Sequence, residues 1–435
     1  MERSRILITG GAGYIGTELS RMALERGHTV TVADIIRPTL TGHERLHYIE
    51  YDLVKPAPAE LFEAIDTVIH LAADTSSGAG RIPESVEISM GIALFEAARS
   101  RGCRFIFASS QSAREDAPAP YGRIKWHIEQ AVLEGGGIVV RPGLVYGGKR
   151  DAGVFAALTG LARRLPLLPD IRPRPIVQPI YMGDLCEAFL RLANGTETRP
   201  GAYNLGDPRG ISFTGFLKSI TRYRLRKTRC FLPVPLALFV GLTRLQKLLP
   251  RLPDIGSERI LGLAALKMMP AEESVRLLEL ELTPLPLGMV RDRDGIRQLL
   301  AHEGRSVLRY VMSGRPSPGL VKRYVSGVEA RFGGMPLDIP PLFLRFPHLL
   351  YLVDNNTRVL ERFGWREVTP RLALAVALAE ANPSGAHQFL QLSPRSRAMA
   401  WMSLMGIALR EAFVKIVQGA FSLAARIMPR SGARS

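Results

Sequence analysis

The strongest constraint on this chain is a glycine-rich turn set between an apolar strand and an amphipathic helix. Arg5–Thr9 reads as a short buried strand, and Thr17–Arg26 carries apolar residues at helical spacing. Between them stands Ile8-Thr9-Gly10-Gly11-Ala12-Gly13-Tyr14-Ile15-Gly16. In such a unit Gly10 permits the tight turn, Gly13 lets the backbone approach a pyrophosphate, and Gly16 lets helix and strand pack closely. The helix N-terminus then offers N–H groups to the phosphates. Asp34 ends the next strand, 18 residues after Gly16. A carboxylate there accepts the ribose 2′-hydroxyl and repels a 2′-phosphate, so NAD is favoured over NADP. The nearby Arg37 works against that preference.

The alternation continues. Thr29–Ala33, Leu46–Glu50, Thr67–Ala72, Phe105–Ser109 and Gly137–Val140 read as strands, with helical patterns between most of them, notably Ile88–Arg99 and Tyr121–Leu133. Strands alternating with helices make an α/β fold, a Rossmann-type doubly wound parallel sheet with helices on both faces. From about Asp151 the pattern loosens. Pro166–Pro179 is rich in proline and arginine and reads as a loop. Gly183–Leu192 and Phe213–Tyr223 read as helices, and Phe231–Pro250 is apolar first and amphipathic later. At 435 residues the chain exceeds one average domain. The expected division is an NAD(P)-binding Rossmann domain over 1–165, to which 176–195 returns, then a smaller substrate-binding region over 166–300. A mainly helical C-terminal extension follows over 301–435, broken at Pro336–Pro347.

Charge narrows the partners. The net charge is +17, yet residues 1–150 hold 17 Lys+Arg against 18 Asp+Glu, and the remainder holds 40 against 22. A basic later part suits a phosphate-rich substrate or an anionic membrane surface. No nucleic-acid motif accompanies it, so no nucleic acid is expected. Cys103, Cys186 and Cys230 form no CxxC pair and no metal-ligand spacing. No metal is expected, and the compartment reads as reducing. The glycine turn follows the N-terminus too soon for a signal peptide, which makes cytoplasmic the expected location. Met399–Arg426 is apolar nearly all round up to Leu409, and beyond it Glu411, Lys415, Gln418, Ser422 and Arg426 share one helical face. The apolar run of about 12 residues is too short to span a bilayer. A helix lying in the interface, peripheral on the inner face of the membrane, is one reading. A helix packed on its own domain or in a homodimer is the other.

Tyr121-Gly122-Arg123-Ile124-Lys125 sets a tyrosine and a lysine four apart on a helix, which puts both side chains on one face. A free phenol titrates near pH ~10 and is a poor base at neutrality. A nearby ammonium favours the phenolate, so the lysine is expected to lower the tyrosine pKa.

Thr9-Gly10-Gly11-Ala12-Gly13-Tyr14-Ile15-Gly16 resembles the opening of the extended short-chain dehydrogenases/reductases, the NAD-dependent epimerase/dehydratase family. Asp52-Leu53 resembles the family's pair at the adenine. His70-Leu71-Ala72-Ala73 resembles the segment ending strand four beside the cofactor. Arg141-Pro142-Gly143-Leu144-Val145-Tyr146-Gly147 resembles the segment after strand six. Gln178-Pro179-Ile180-Tyr181-Met182-Gly183-Asp184-Leu185 and Tyr203-Asn204-Leu205-Gly206 resemble its later helix start and final-strand signature. The resemblance covers residues 4–225 and continues loosely to about 300. Leu277–Pro286 and Leu360–Pro370 both resemble its closing segment.

The resemblance implies that Tyr121, Lys125 and Ser110 are catalytic, with Ser110 the hydroxyl that bonds the reacting oxygen and Ser109 its competitor. Implied cofactor contacts are Gly10, Gly13, Tyr14, Ile15, Gly16, Asp34, Asp52, Leu53, Leu71, Ala72, Ala73, Ser109, Tyr121, Lys125, Pro142 and Val145. In sugar-nucleotide members arginines clamp a diphosphate, which makes Arg163, Arg164, Arg172 and Arg174 substrate-binding candidates. Three departures stand out. Val86-Glu87-Ile88-Ser89-Met90-Gly91 lacks the family's asparagine, Asp74–Pro83 is short and rich in small residues, and Val177-Gln178 replaces an arginine before the later helix.

The expected function is an NAD-dependent epimerase, dehydratase or dehydrogenase, acting by hydride transfer at a hydroxyl or carbonyl of a nucleotide-sugar-like substrate. One alternative is a membrane-associated sterol- or lipid-type hydroxyl dehydrogenase. Gln178-Pro179-Ile180-Tyr181 followed by Leu232-Pro233-Val234-Pro235-Leu236 resembles such members. Another is a non-catalytic NAD(P)-binding scaffold subunit of a membrane complex, against which Tyr121 and Lys125 argue.

Overall fold

Short, fully apolar strands separated by amphipathic helices can be buried only in a parallel sheet covered on both faces. The computed structural model has that arrangement. It describes residues 3–40, 42–74, 82–117, 119–195, 199–235, 237–238, 266–290, 293–312, 314–382 and 397–427. Two units emerge, Met1–Arg291 and Asp292–Ser435.

The first unit opens with β1 (Arg5–Thr9), α1 (Tyr14–Glu25), β2 (Thr29–Asp34), β3 (Leu46–Glu50), β4 (Thr67–His70) and α2 (Glu84–Ser100). It continues with β5 (Arg104–Ala108), α3 (Pro120–Glu134), β6 (Ile138–Pro142), β7 (Leu144–Tyr146), α4 (Gly153–Arg164) and β8 (Leu167–Arg172). Then come β9 (Ile176–Val177), β10 (Pro179–Tyr181), α5 (Met182–Asn194), β11 (Gly201–Leu205), β12 (Ile211–Ser212), α6 (Phe213–Ser219) and β13 (Cys230–Pro235). The main sheet has seven parallel strands in the order β11-β6-β5-β4-β1-β2-β3. The order reverses between β1 and β4, which opens a crevice at the C-terminal ends of those strands. Ile6 and Ile8 face a core shared with Leu19 of α1 and Phe189 of α5. Leu7 faces the other, with Phe95 of α2 and Ile128 of α3.

The Pro166–Pro179 stretch is not a loop. β8 pairs in parallel with β13 and β9 pairs with β12. Leu168 and Ile171 are buried. Prolines hide the strand signal, and the partner of β8 lies some 60 residues downstream, beyond any local window. The helix expected over Phe213–Tyr223 ends as α6 at Ser219 and passes into a π-helical turn, Ile220–Arg224. Phe231–Pro250 begins as β13; residues 236 and 239–265 lie outside the described residues. Of the two closing-segment candidates, Leu277–Pro286 belongs to the first unit, where Thr283 donates to Asp184 from its N–H (2.6 Å) and its hydroxyl (2.7 Å).

The second unit is helical. Arg293–Val311, Pro318–Phe332 and Val368–Glu380 enclose a core that includes Leu308, Tyr324, Val328 and Ala375. Inside it Glu303 accepts from Arg371 Nη1 (2.7 Å), Tyr324 OH (2.8 Å) and Leu337 N (2.7 Å). The terminal helix Arg397–Ile427 meets its own unit with a mixed face. Gln418 donates to the carbonyls of Tyr351 and Asp354 and Ser422 bonds Asn356, while Phe421 and Ala425 pack on the core and Glu411 and Lys415 are exposed. Phe413, Ile416 and Leu423 are turned outward, and Met399, Trp401, Met402, Leu404, Met405, Ile407 and Leu409 are exposed in the first turns. Among the described residues no helix is long and apolar enough to cross a membrane.

Candidate active site

The β1–α1 turn is built for close approach. Gly10 has φ +70°, and a Cβ there would lie 2.7 Å from Ala72 N. A Cβ on Gly16 would lie 2.4 Å from Gly10 O. α1 starts without a side-chain cap and without an acidic residue in its first turn, which leaves its N–H groups and dipole for an anion. Ile15 packs against the adjoining core, and Tyr14 OH donates to Gly147 O at 2.7 Å. Burial pushes the Tyr14 phenol well above its ordinary pKa.

Asp34 closes β2 beside this turn. Its Oδ2 accepts from Ala12 N (3.0 Å) and its Oδ1 from Ile36 N (3.1 Å), so the carboxylate is fixed on the glycine loop. Arg37 lies over the Tyr48 ring, 5.6 Å from its centroid. Asp52 Oδ1 accepts from Val54 N (3.2 Å), and Leu53 is buried beyond β3. Leu71, Ala72 and Ala73 leave β4 next to Gly10, with Leu71 N bonded to Thr9 O. Pro142 ends β6, and Val145 lies in β7, against the core beneath α1.

Across the crevice, β5 delivers two serines with different fates. Ser109 Oγ donates to Glu129 Oε2 at 2.5 Å, and the fully buried Glu129 also takes Arg141 through Nε (3.0 Å) and Nη2. The Ser109 hydroxyl is thus spent within α3 and β6, and a cofactor contact there would fall to its backbone. Ser110 is half-buried; its Oγ pairs with Ser112 Oγ (2.9 Å) and accepts from Ser112 N (3.1 Å).

α3 is clamped onto the same strand end. Lys125 Nζ donates to Ala108 O at 2.7 Å and lies 4.6 Å from the Phe107 ring centroid and 5.7 Å from that of Tyr121. Gly122 lets the first turn of α3 approach the serine arm, because a Cβ there would lie 2.6 Å from Ser112 O. His70, at the end of β4, is bonded to Thr9 Oγ1 (2.6 Å), and burial pushes it down to about 3, which keeps it neutral.

The expected lowering of the tyrosine pKa is corrected. Burial pushes Tyr121 up to about 12, and the negative charge of Glu87 adds to the rise. Burial pushes Lys125 down to about 8, against the pull of Glu87. One donor of the ammonium goes to the Ala108 carbonyl, and desolvation of the phenolate dominates.

Arg172 and Arg174, expected to bind substrate, do not stand as bare cations. Both grip Asp170, Arg172 at 2.9 Å and Arg174 at 3.0 and 3.1 Å, and Thr214 Oγ1 adds a bond of 2.7 Å. The Arg174 guanidinium, foremost among these partners, holds the Asp170 carboxyl below the ordinary carboxylate range. Arg163 and Arg164 are exposed in the last turn of α4.

Three residues near these groups were not among the expected site residues. Gln178 is fully buried and clasps Met269 through N (2.6 Å) and O (3.0 Å). Arg224 is buried on Asp151 and the Gly148 carbonyl (2.9 Å). Glu87 is buried in the first turns of α2, its Oε1 accepting from Asp74 N (3.1 Å). The signal for Glu87 was its place on the apolar side of α2, one turn before Gly91. Among the described residues no group of three or more His, Cys, Asp or Glu could hold a metal ion.

Residues 6–206 match the model of the NAD dependent epimerase/dehydratase family. UDP-glucuronic acid decarboxylase 1 of Danio rerio is 38% identical over 82 residues, 17% of this chain and 19% of the decarboxylase. The chain thus spans about a fifth of that relative's length. A ceramide reductase of Caulobacter vibrioides is 28% identical over 254 residues, 55% of this chain and 77% of the reductase. The solved structure of the Bordetella bronchiseptica enzyme WbmH in complex with NAD+ is similar in fold. Its TM-score is 0.51 at 17% identity, over 68% of this chain and 99% of WbmH.

Proposed function

Residues 6–206 of this chain belong to the NAD-dependent epimerase/dehydratase family, and from that premise we propose an NAD-dependent enzyme. It acts by hydride transfer at a hydroxyl or carbonyl of a nucleotide-sugar-like substrate. The observation that carries the reading is the docking of α3 on the end of β5. Lys125 Nζ sits on Ala108 O, Gly122 lies against Ser112, and Ser112 holds the Ser110 hydroxyl. The glycine turn fits a dinucleotide, since Gly10 and Gly16 leave no room for a Cβ and Asp34 is fixed beside them. NAD, when bound, supplies the hydride acceptor or donor. Gly10, Gly13 and the start of α1 would hold its phosphates, and Asp34 would hold ribose hydroxyls.

The chain's own residues then handle orientation and the proton. Ser110 Oγ bonds the reacting substrate oxygen. Tyr121 exchanges a proton with that oxygen, giving it when a carbonyl is reduced and taking it when a hydroxyl is oxidised. The ammonium of Lys125 binds ribose hydroxyls. The excess of 40 basic over 22 acidic residues after residue 150 suits a phosphate-bearing substrate.

A second reading, a lipid- or sterol-type substrate, is supported by the ceramide reductase, which matches over more than half of this chain. The exposed apolar residues of the terminal helix support a peripheral place on an anionic membrane face. Its outward apolar residues are joined in sequence by four basic residues and one acidic residue between Arg397 and Ile427. Turnover of UDP-sugars against long-chain carbonyl and sterol substrates, followed by product chromatography and, for a net oxidation or reduction, by NADH absorbance, separates the two. Tyr121→Phe should abolish turnover and leave NAD affinity nearly unchanged; normal turnover in that variant sinks the mechanism. The intact protein should float with anionic liposomes at low salt and less so at high salt. No flotation at low salt refutes the membrane contact, and a concentration-dependent dimer instead would assign the apolar helix to a second copy.

A further inference from the structure

Helices α2 and α3 run side by side, and two contacts fix their register. Glu84 Oε1 lies 2.7 Å from Arg123 Nη2. Two turns on, Gly91 has no room for a side chain, because Ile128 Cδ1 would lie 2.7 Å from its Cβ. Glu87 stands between them on the same face of α2, opposite the turn that carries Ile124 and Lys125. Both Glu87 and Lys125 are 2% exposed. A carboxylate or an ammonium taken out of water is costly alone, and the two stabilise each other when buried together.

We propose that Glu87 is a positioning residue for the Tyr121–Lys125 pair, its buried carboxylate keeping Lys125 in the ammonium form. The proposal rests on the functional reading of that pair given above. The other groups around Lys125 do not serve this end. From β4, His70 is neutral and bonded to Thr9. From β5, the Ala108 carbonyl accepts from Nζ without carrying a charge. On α3, Tyr121 is protonated, and Glu129 is committed to Arg141 and Ser109. On α2, Glu84 is committed to Arg123. Glu87 is the acid whose charge raises both Lys125 and Tyr121. It also accepts from Asp74 N (3.1 Å), while Asp74 Oδ2 accepts from Ile82 N (2.8 Å). The lysine's charge is therefore linked to the segment that leaves β4.

The test is a titration of the full chain with 13C-labelled lysine, without added cofactor. Nine lysines are present, and Lys125→Arg assigns the Lys125 Cε signal. In Glu87→Gln, which keeps the acceptor for Asp74 N, the Lys125 midpoint should fall by about one pH unit, a tenfold loss of proton affinity. Glu87→Asp should recover part of the shift, and Glu84→Gln should leave the midpoint unchanged. An unchanged midpoint in Glu87→Gln, or an equal fall in Glu84→Gln, overturns the proposal. If Glu87→Gln does not fold, Glu87→Asp takes its place: a midpoint below that of Glu84→Gln supports the proposal, and one equal to it overturns it. Because no turnover is measured, this outcome is independent of whether the proposed reaction occurs.

Discussion

Replacing Gly122 by alanine probes the contact that brings the Tyr121 turn to the serine arm. The new Cβ would lie 2.6 Å from Ser112 O and 2.7 Å from Ala117 Cβ. Non-bonded heavy atoms prefer separations of about 3.5 Å or more, so the methyl overlaps two neighbours, one of them backbone. Overpacking of this kind costs about 1–3 kcal/mol. Alanine regains about 1 kcal/mol of helix propensity over glycine, which leaves a net loss of up to about 2 kcal/mol. At about 2–4 °C per kcal/mol for a unit of this size, Tm should fall by no more than about 8 °C. Activity is the sharper readout. The first turn of α3 must back away from Ser112, whose N–H holds Ser110 Oγ at 3.1 Å. A misplacement of about 1 Å in a reacting group costs about 10²-fold in rate, so kcat at saturating NAD should fall between about tenfold and 10²-fold. Scanning calorimetry and steady-state kinetics on the same preparation test both effects. A raised Tm with kcat within twofold of the wild type would mean that the α3–Ser112 approach does not set the site.

Asp34, held by Ala12 N and Ile36 N, should make NAD bind at least about tenfold tighter than NADP, the size of a ~1.4 kcal/mol repulsion; fluorescence titration with tighter NADP binding would contradict it. Lys125, pushed down to about 8 from an ordinary value of 10.5, releases its proton in the folded state first. The unfolded state then binds more protons between about pH 8 and pH 10, and stability rises across that window. Above it Tyr121, pushed up to about 12, acts in the opposite sense. Urea unfolding of the wild type and Lys125→Met from pH 7 to 10 should show their stability difference changing in the wild type's favour as pH rises; a constant difference refutes the buried ammonium. In the second unit, Glu303→Ala strands Arg371, which is 1% exposed, and should cost about 3–5 kcal/mol. A loss below about 1 kcal/mol in denaturant unfolding would show that the pair is not carrying that buried charge.

The nucleotide-binding frame was legible from local residues alone. A strand, a glycine turn, a helix start and an acid at the end of the next strand are local features. Chain stiffness and turn chemistry act over a few residues, so Gly10, Gly16 and Asp34 could be read without knowing what lay beside them. The same holds for Tyr121 and Lys125, which share a face because of helical period alone. What tertiary structure decided is the environment of those groups. Only the pairing of β8 with β13 turns a proline-rich stretch into a strand. Only the placement of Glu129 draws the Ser109 hydroxyl away and leaves Ser110 at the mouth. Asp170 claims Arg172 and Arg174, and burial reverses the expected direction of the Tyr121 shift. The terminal helix was legible as a helix, but which stripe faces inward depends on the carbonyls of Tyr351 and Asp354 that Gln418 meets. Periodicity fixes which residues share a face, whereas desolvation and charge pairing depend on partners far along the chain, and those partners exist only once the fold has formed.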